Sequence, residues 1–348
     1  MPAAWHDWCT AGRLVVILGP IFGSGLRGGT TAPTLRENWD NTPGPVLTVI
    51  IVSWNTSGLL RRCLTSLRRE LADFILDTSL IVVDNASADD SVSMVEQEFP
   101  DVRNIALAEN IGYAGGANLG MRSTSSDIVL ICNPDLEFLP GSVARLWSAL
   151  HAASHIGMVA PLLVNSDGSI QSAGYRFPGA AQSIFDLLPL PDRLMTSALN
   201  GRIGPGDGSS PIAIDHPLGA CLMVRRAVIE QTGGMDAGYF MYSEEIDWCR
   251  RIKQLGWTIL LAPAARVIHH GGQSTSQVVE EMFLQLHRSR ARYLRRYEPD
   301  WKLAATQLAG RLAATRATLR HEPERASVLN AVASLYRGRS DDREDADA

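Results

Sequence analysis

No apolar run in this chain of 348 residues is long enough to cross a bilayer. The nearest approach, Leu14 to Phe22, is broken by Gly19 and Pro20. Read as a signal peptide, it lacks a basic leader, with Arg13 the only firm positive charge before it, and no small-residue cleavage site follows. Basic excess is missing too. Lys and Arg number 32 against 37 Asp and Glu, a net charge of −5, so no global positive field points to nucleic acid. Cysteine is sparse: Cys9, Cys63, Cys132, Cys221 and Cys249 are odd in number and free of C-x-x-C spacing. That argues against a disulfide framework and a zinc site, and suits a reducing compartment. Internal repeats are absent. So is a Gly- and Lys-rich phosphate loop after the first strand, where Ser53-Trp-Asn-Thr-Ser57 stands instead, which disfavours a nucleotidyltransferase.

What is present is ordinary globular material, 45% hydrophobic and 20% charged, enough for one large α/β domain plus an appendage. Gly23 to Pro45 is rich in Gly, Pro and Thr, so residues 1–45 are expected to form a flexible extension. From Val46 onward β-branched runs alternate with amphipathic helices. Leu47–Ser53 reads as a buried strand, and Leu59, Leu60, Cys63, Leu64, Leu67 and Leu71 fall at helical spacing. Leu80–Val83, Val102–Leu107 and Ile128–Cys132 read as further strands, with Ser87 placed to cap a helix after the second. This alternation predicts a parallel sheet covered on both faces, with ligands at the carboxyl ends of its strands. Beyond it, strands are expected at Ile156–Val164, Leu218–Val224 and Trp257–Leu261, a helix at Ser243–Leu255, and a Gly-rich loop at Gly201–Ser210. A helical stretch, basic on one side, is expected from about Gln277, and the acidic end, Asp341–Ala348, is expected to be disordered.

Four constellations carry chemistry. Ser53-Trp54-Asn55 ends the first strand and Asp84-Asn85 the second. A nucleoside needs a flat contact for its base and an acceptor for its ribose hydroxyls; Asp84 can supply the acceptor, or it can simply bond its own turn. Asn110 opens a glycine-rich stretch through Gly112, Gly115, Gly116 and Asn118 to Gly120. Glycines there would let backbone approach a ligand, with phosphate favoured at the helix start, or would mark an ordinary helix beginning. They lack dinucleotide-fingerprint spacing and follow the third strand, which disfavours a Rossmann oxidoreductase. Asn133-Pro134-Asp135 follows an apolar strand, and a carboxylate there can hold Mg²⁺ or Mn²⁺ against a diphosphate. Ser243 opens a helix with Glu244, Glu245 and Asp247 in its first turn. Such residues complement the helix dipole or, held in a crowded site, take a proton from an acceptor hydroxyl. His269-His270 follows the next strand, where a histidine can complete a metal shell.

In order, Ser53-Trp-Asn55, Val83-Asp-Asn-Ala-Ser87, Asn110-x-Gly-Tyr-Ala-Gly-Gly-Ala-Asn118, Asn133-Pro-Asp135, Gly219-Ala-Cys-Leu-Met-Val-Arg225, Tyr242-x-Glu-Glu-x-Asp247 and His269 resemble the family 2 glycosyltransferases. The nearest branch is the rhamnosyltransferase-like one of bacterial surface-polysaccharide assembly. The resemblance covers about Val46 to Ser276 and implies a GT-A fold, a Rossmann-like mixed sheet flanked by helices, with residues 277–337 as a C-terminal helical appendage and 338–348 as a tail. It implies that Asp84 contacts the nucleoside, alongside a donor-binding set of Ser53, Trp54, Asn55, Asn110, Gly112, Asn118 and Asn133. Asp135 and His269, or His270 one register on, stand at the metal positions. Glu245 stands at the catalytic base, with Glu244 and Asp247 as alternatives. Two departures are visible: Asn133 replaces the first Asp of the metal motif, which implies a modest metal affinity, and Glu245 replaces the usual Asp, lengthening the base by a methylene.

The implied reaction is an inverting transfer from a nucleoside-diphosphate-sugar to an acceptor hydroxyl of a glycan or lipid-linked glycan, in the cytoplasm or at the inner face of the plasma membrane. The first donor choice is dTDP-rhamnose, ahead of UDP-glucose, UDP-galactose and UDP-N-acetylglucosamine. A non-catalytic nucleotide-sugar-binding or scaffold protein is the rival reading, and the retained Asp135, Glu245 and His269 count against it. Arg288, Arg290, Arg292, Arg295 and Arg296 fit a peripheral membrane contact or a helix packed on the catalytic domain; Tyr293, Leu294 and Trp301 serve either.

Overall fold

The computed structural model describes residues 46–72, 76–171, 174–187, 200–271 and 279–337. The expected N-terminal extension and acidic tail lie outside the described residues. The apolar runs seen in the sequence become the strands that matter most. β1 (Leu47–Ser53) is buried along its whole length and pairs in parallel with β2 (Thr78–Asp84). Between them, α1 (Ser57–Ala72) buries Leu60, Cys63, Leu64 and Leu67, the stripe its spacing predicts. α2 (Ser91–Glu98) leads to β3 (Arg103–Ala106), and α3 (Gly112–Arg122) to β4 (Ile128–Cys132), which returns beside β1. Ser87 does not cap α2, which starts at Ser91; its hydroxyl is drawn back to Asp84.

β5 (Leu136–Phe138) and α4 (Ser142–His151) precede β6 (Ile156–Val164), again buried throughout. A smaller three-stranded sheet joins β7 (Gly174–Tyr175), β8 (Arg202–Ile203) and β10 (His216–Pro217), with α5 (Ala180–Leu187) and the short strand β9 (Ile212–Ala213) between them in the chain. β11 (Cys221–Arg225), α6 (Arg226–Thr232), α7 (Glu244–Gln254) and β12 (Thr258–His269) complete the main sheet, ordered β3-β2-β1-β4-β11-β6-β12-β5 with β9 against β12. The sheet is mixed rather than parallel: β11 runs antiparallel to both β4 and β6. β12 is longer than the expected Trp257–Leu261, because the chain passes Pro263 with a shift of register between Ala262 and Arg266 instead of ending there.

Residues alternate across β1 to fill two cores. Leu47, Val49 and Ile51 meet α1 and α4, while Ile50 and Val52 meet α3 and the Trp248 side of α7. The glycines of α3 serve this packing: a Cβ on Gly116 would stand 2.8 Å from Val52, and one on Gly120 would collide with Ile50. Gly120 and Gly116, one helical turn apart, thus let the helix lie directly on β1.

The basic C-terminal stretch forms α8 (Val279–Tyr297), α9 (Asp300–Leu319) and α10 (Pro323–Leu335). Pro299 divides the first two, since it cannot continue a helix from within. These helices share a third core with α5 and with Tyr239. Several α8 arginines engage the protein: Arg292 and Arg296, still partly open to solvent, reach Asp236, and Arg295 donates to the Leu335 carbonyl, while Arg288 is exposed.

Candidate active site

The first two constellations form one laced turn. Asp84, 1% exposed, accepts from the Ser87 N–H at 2.8 Å and the Ser87 hydroxyl at 2.7 Å. The Ser87 hydroxyl in turn accepts from the Asn55 N–H, and the Asn55 side-chain oxygen accepts from the Ala88 N–H. Asn55 is held with φ 52°, in the left-handed region. Asp89, which the sequence reading passed over, receives the Ser57 N–H at 2.9 Å and so caps α1 from the neighbouring loop. Ser53 is fully buried against Thr56, and Trp54 is half-buried beside it. A cleft of about 700 Å³ opens here, between Asn55, Ser57, Arg62 and Asp89 on one wall and Ser166 and His270 on the other.

The glycine-rich stretch does not line this cleft. Asn110 bonds the N–H of Gly112, and Asn118 accepts from and donates to the backbone of Met235 at 2.9 and 2.7 Å. Gly112, with φ 78°, gives way to Phe240, whose carbonyl receives the Tyr113 N–H. Asn110, Gly112 and Asn118 thus fix α3 to the 233–240 segment that leads into α7. Asn85 bridges the same junction: its amide donates to the Gly112 carbonyl and its oxygen accepts from the Ile111 N–H.

Past β4, the Asn133 N–H bonds the Ala220 carbonyl, and Asp135 follows, 7% exposed, with Oδ1 buried and without a hydrogen-bond partner. His269 Nε2 stands 3.5 Å from that oxygen. The other ring nitrogen, Nδ1, lies 2.9 Å from the Gln171 side-chain oxygen, which as an acceptor places the ring proton on Nδ1 and leaves the Nε2 lone pair facing Asp135. Burial also lowers the pKa of His269, against the pull of Asp135, keeping the ring neutral. His270 is engaged elsewhere, with Glu137 at 2.8 Å and Ser166 at 3.2 Å. Among the described residues no group of three or more His, Cys, Asp or Glu side chains gathers to hold a metal. Two ligands, one an orphaned carboxylate oxygen, suit a hard cation that takes its remaining ligands from water and from a bound diphosphate.

Glu244 and Glu245 open α7 beneath a lead-in in which Tyr242 and Ser243 have φ 68° and 66°. Two consecutive non-glycine residues in the left-handed region carry a cost of order 1–3 kcal/mol each, a cost that clusters at functional sites. Both glutamates are buried, 5% and 8% exposed, and each has one carboxylate oxygen without a partner. Burial pushes the pKa of Glu245 up to about 7, against hydrogen bonds from its own helix start and from Gly219. Glu244 is raised further, by burial and by the neighbouring Glu245 charge. The carboxylate of Glu245 packs on Gly219, whose carbonyl accepts from the Tyr113 hydroxyl at 3.0 Å. Gly219 and Ala220 thereby tie Glu245 to the loop that carries Asp135. Asp247 differs. It is fully buried and held by Arg251 at 2.8 Å, Arg296 at 3.1 Å and Tyr297 at 2.7 Å, which makes it a fastening of α7 to α8.

Comparison with known proteins is decisive at this point: residues 48–232, more than half of the chain, match the family described as Glycosyl transferase family 2. The chain belongs to that family. The glycosyltransferase is 28% identical over 271 residues to an N-acetylglucosaminyl-diphospho-decaprenol L-rhamnosyltransferase of Mycobacterium tuberculosis, covering 74% of this chain and 86% of that protein. It is also 28% identical to the low-salt glycan biosynthesis hexosyltransferase Agl10 of Haloferax volcanii, over 64% of this chain and 67% of the relative. In fold, it matches the mannosyltransferase PcManGT of Pyrobaculum calidifontis, solved with GDP-Man and Mn²⁺, at TM-score 0.53 and 18% identity, covering 87% and 91% of the two chains. The mixed sheet flanked by helices is thus a GT-A fold. In the glycosyltransferase, Gln171 is the residue that sequence gave no means of finding: it lies 98 positions from His269 and stands in no motif.

Proposed function

We propose that this glycosyltransferase works by inversion and with a divalent metal, moving a sugar from a nucleoside-diphosphate donor to a hydroxyl of a glycan or lipid-linked glycan. Glu245 carries the reading. A buried carboxylate with a free oxygen and a pKa raised to about 7 is matched to taking a proton from a hydroxyl near neutral pH. The acceptor oxygen attacks the anomeric carbon opposite the diphosphate, and its proton passes to Glu245. The new C–O bond forms as the bond to the diphosphate breaks, no enzyme-bound sugar intervenes, and the configuration inverts. Asp135 and His269 would hold Mg²⁺ or Mn²⁺, which when bound neutralises charge on the diphosphate. Gln171 keeps His269 in the tautomer that presents Nε2. Asn55, which lines the cleft, with Trp54 and Asp84 in the turns beside it and Asn133 at the end of β4, forms the donor side.

dTDP-rhamnose remains our first donor, supported by the name of the mycobacterial relative, whose acceptor is a sugar on a lipid diphosphate. We assign the reaction to the cytoplasm, in surface-polysaccharide assembly, with a catalytic unit over 46–276 and a supporting helical unit over 277–337. The test is a transfer and donor-hydrolysis screen of dTDP-rhamnose, UDP-glucose, UDP-galactose and UDP-N-acetylglucosamine with Mg²⁺ or Mn²⁺, alongside Glu245→Gln. Turnover confined to one donor and lost in Glu245→Gln supports the reading. Near-normal turnover in Glu245→Gln removes Glu245 as the base.

A further inference from the structure

α9 is built against the usual order of an amphipathic helix. Beyond Leu303 and Thr306 its buried face is made of small residues, Ala309, Gly310, Ala313, Ala314 and Ala317, and a Cβ on Gly310 would stand 2.9 Å from Ala333 of α10. Leu303 is the one large apolar side chain among its buried residues, and the others face solvent: Trp301 is 66% exposed, Leu308 58%, Leu312 59% and Leu319 76%. Only three other large apolar side chains are exposed among the described residues, Ile111 at 36%, Ile170 at 53% and Leu255 at 51%, and none lies in α9. At 3.6 residues per turn the four fall within about 20° of one line, a stripe about 27 Å long. Single exposed apolar residues are ordinary, but an aligned row of this length marks a contact surface.

Charge indicates what covers it. Arg311 borders the stripe on one side, Arg316 and Arg320 on the other; all three are exposed. None has an ion-pair partner among the described residues. Asp300, at the first turn, is the only acidic residue of the helix. This basic face belongs to a chain of net charge −5, so it attracts anions where the molecule as a whole does not. A second copy related by a two-fold axis would set these arginines against a like-charged face. No helix of the described residues is long and apolar enough to cross a membrane, so α9 can lie on a bilayer but not span one. Leucines with a terminal Trp between arginines are the composition of a helix lying in the headgroup region of anionic lipid.

We propose that α9 docks the protein on an anionic membrane surface through Trp301, Leu308, Leu312 and Leu319, with Arg311, Arg316 and Arg320 on the headgroups. The peripheral contact expected of the basic C-terminal stretch is thereby placed on α9. The full chain is floated with phosphatidylglycerol–phosphatidylcholine vesicles and with phosphatidylcholine vesicles alone. The expected result is flotation with the anionic vesicles only. It should fall about tenfold or more in the double variant Leu308→Gln/Leu312→Gln, and fall in Arg311→Gln/Arg316→Gln or at about 0.5 M salt, with unchanged melting of each variant. The substituted side chains are exposed, so folding is not at stake, and flotation is read without any transfer assay. No flotation of the wild type, or flotation indifferent to these substitutions, overturns the proposal. So does a solution dimer that the leucine variant dissolves, which would assign the stripe to a second copy.

Discussion

Tyr297, near the end of α8, donates a 2.7 Å hydrogen bond to Asp247, in the same helical turn as Glu245. With Arg251 and Arg296 on the same carboxylate, this bond ties the appended helices to the first turn of α7. Tyr297→Phe leaves a buried carboxylate short of one donor. We expect a loss of about 1–3 kcal/mol in urea unfolding together with a fall in kcat, because α7 is loosened where Glu245 stands. A stability loss with unchanged kcat would show that the fastening matters to the fold alone.

The raised pKa of Glu245 gives a pH dependence with a definite sign. As a base it works only when ionised, so kcat/KM should rise with pH through about 7. Glu245→Gln should cost on the order of 10²–10⁴ in rate and abolish that limb, with circular dichroism unchanged. A profile flat from about pH 5 to 8 would contradict the assignment.

Stability responds in the opposite sense. The folded state favours the protonated forms of Glu244 and Glu245. The stability this brings is complete below the ordinary glutamate pKa and is lost as pH rises through the raised values. Glu244→Gln removes one of the two groups. The melting temperature of the wild type should therefore drop relative to this variant between about pH 5 and pH 8. Taking the difference cancels the buried His216 and His287, whose pKa values burial lowers to about 4 and about 3.

Gln171 supports His269 without reaching Asp135 itself, and its loss should be felt as metal affinity. Calorimetric titration of Mn²⁺ in the presence of a nucleoside diphosphate is expected to show a 10–100-fold weakening in Gln171→Ala. The loss should be larger in Asp135→Ala, and chelator-treated wild type should recover transfer on adding Mg²⁺ or Mn²⁺. Equal affinity in Gln171→Ala would mean that His269 needs no partner to hold its tautomer.

Gly120→Ala tests the seat of α3, since the added methyl meets Ile50 of β1. Overpacking of this kind costs about 1–3 kcal/mol, read as a lower denaturation midpoint, whereas Gly58→Ala, with open space around it, should show no such clash.

The sequence by itself determined the strands β1, β4 and β6, the helix that opens at Glu244 and the family pattern. Each rests on local signals: a strand buried on both faces reads as an apolar run, and a first turn rich in acid reads as a helix start. The tertiary structure decided the rest. His269 and His270 are adjacent in sequence, yet side chains alternate along an extended chain, so only the register that sets His269 against Leu136 turns the first toward Asp135 and the second toward Glu137. Asp247 shares a helical turn with Glu245 but faces α8, where Arg292 and Arg296, still partly open to solvent, find Asp236 and Asp247 as partners. The glycines of α3, open to a phosphate reading, are spent on contact with Ile50 and Val52. Hydropathy fixes which residues leave water, whereas partners far apart in the chain meet only once the packing of helices on the sheet has chosen which way each side chain points.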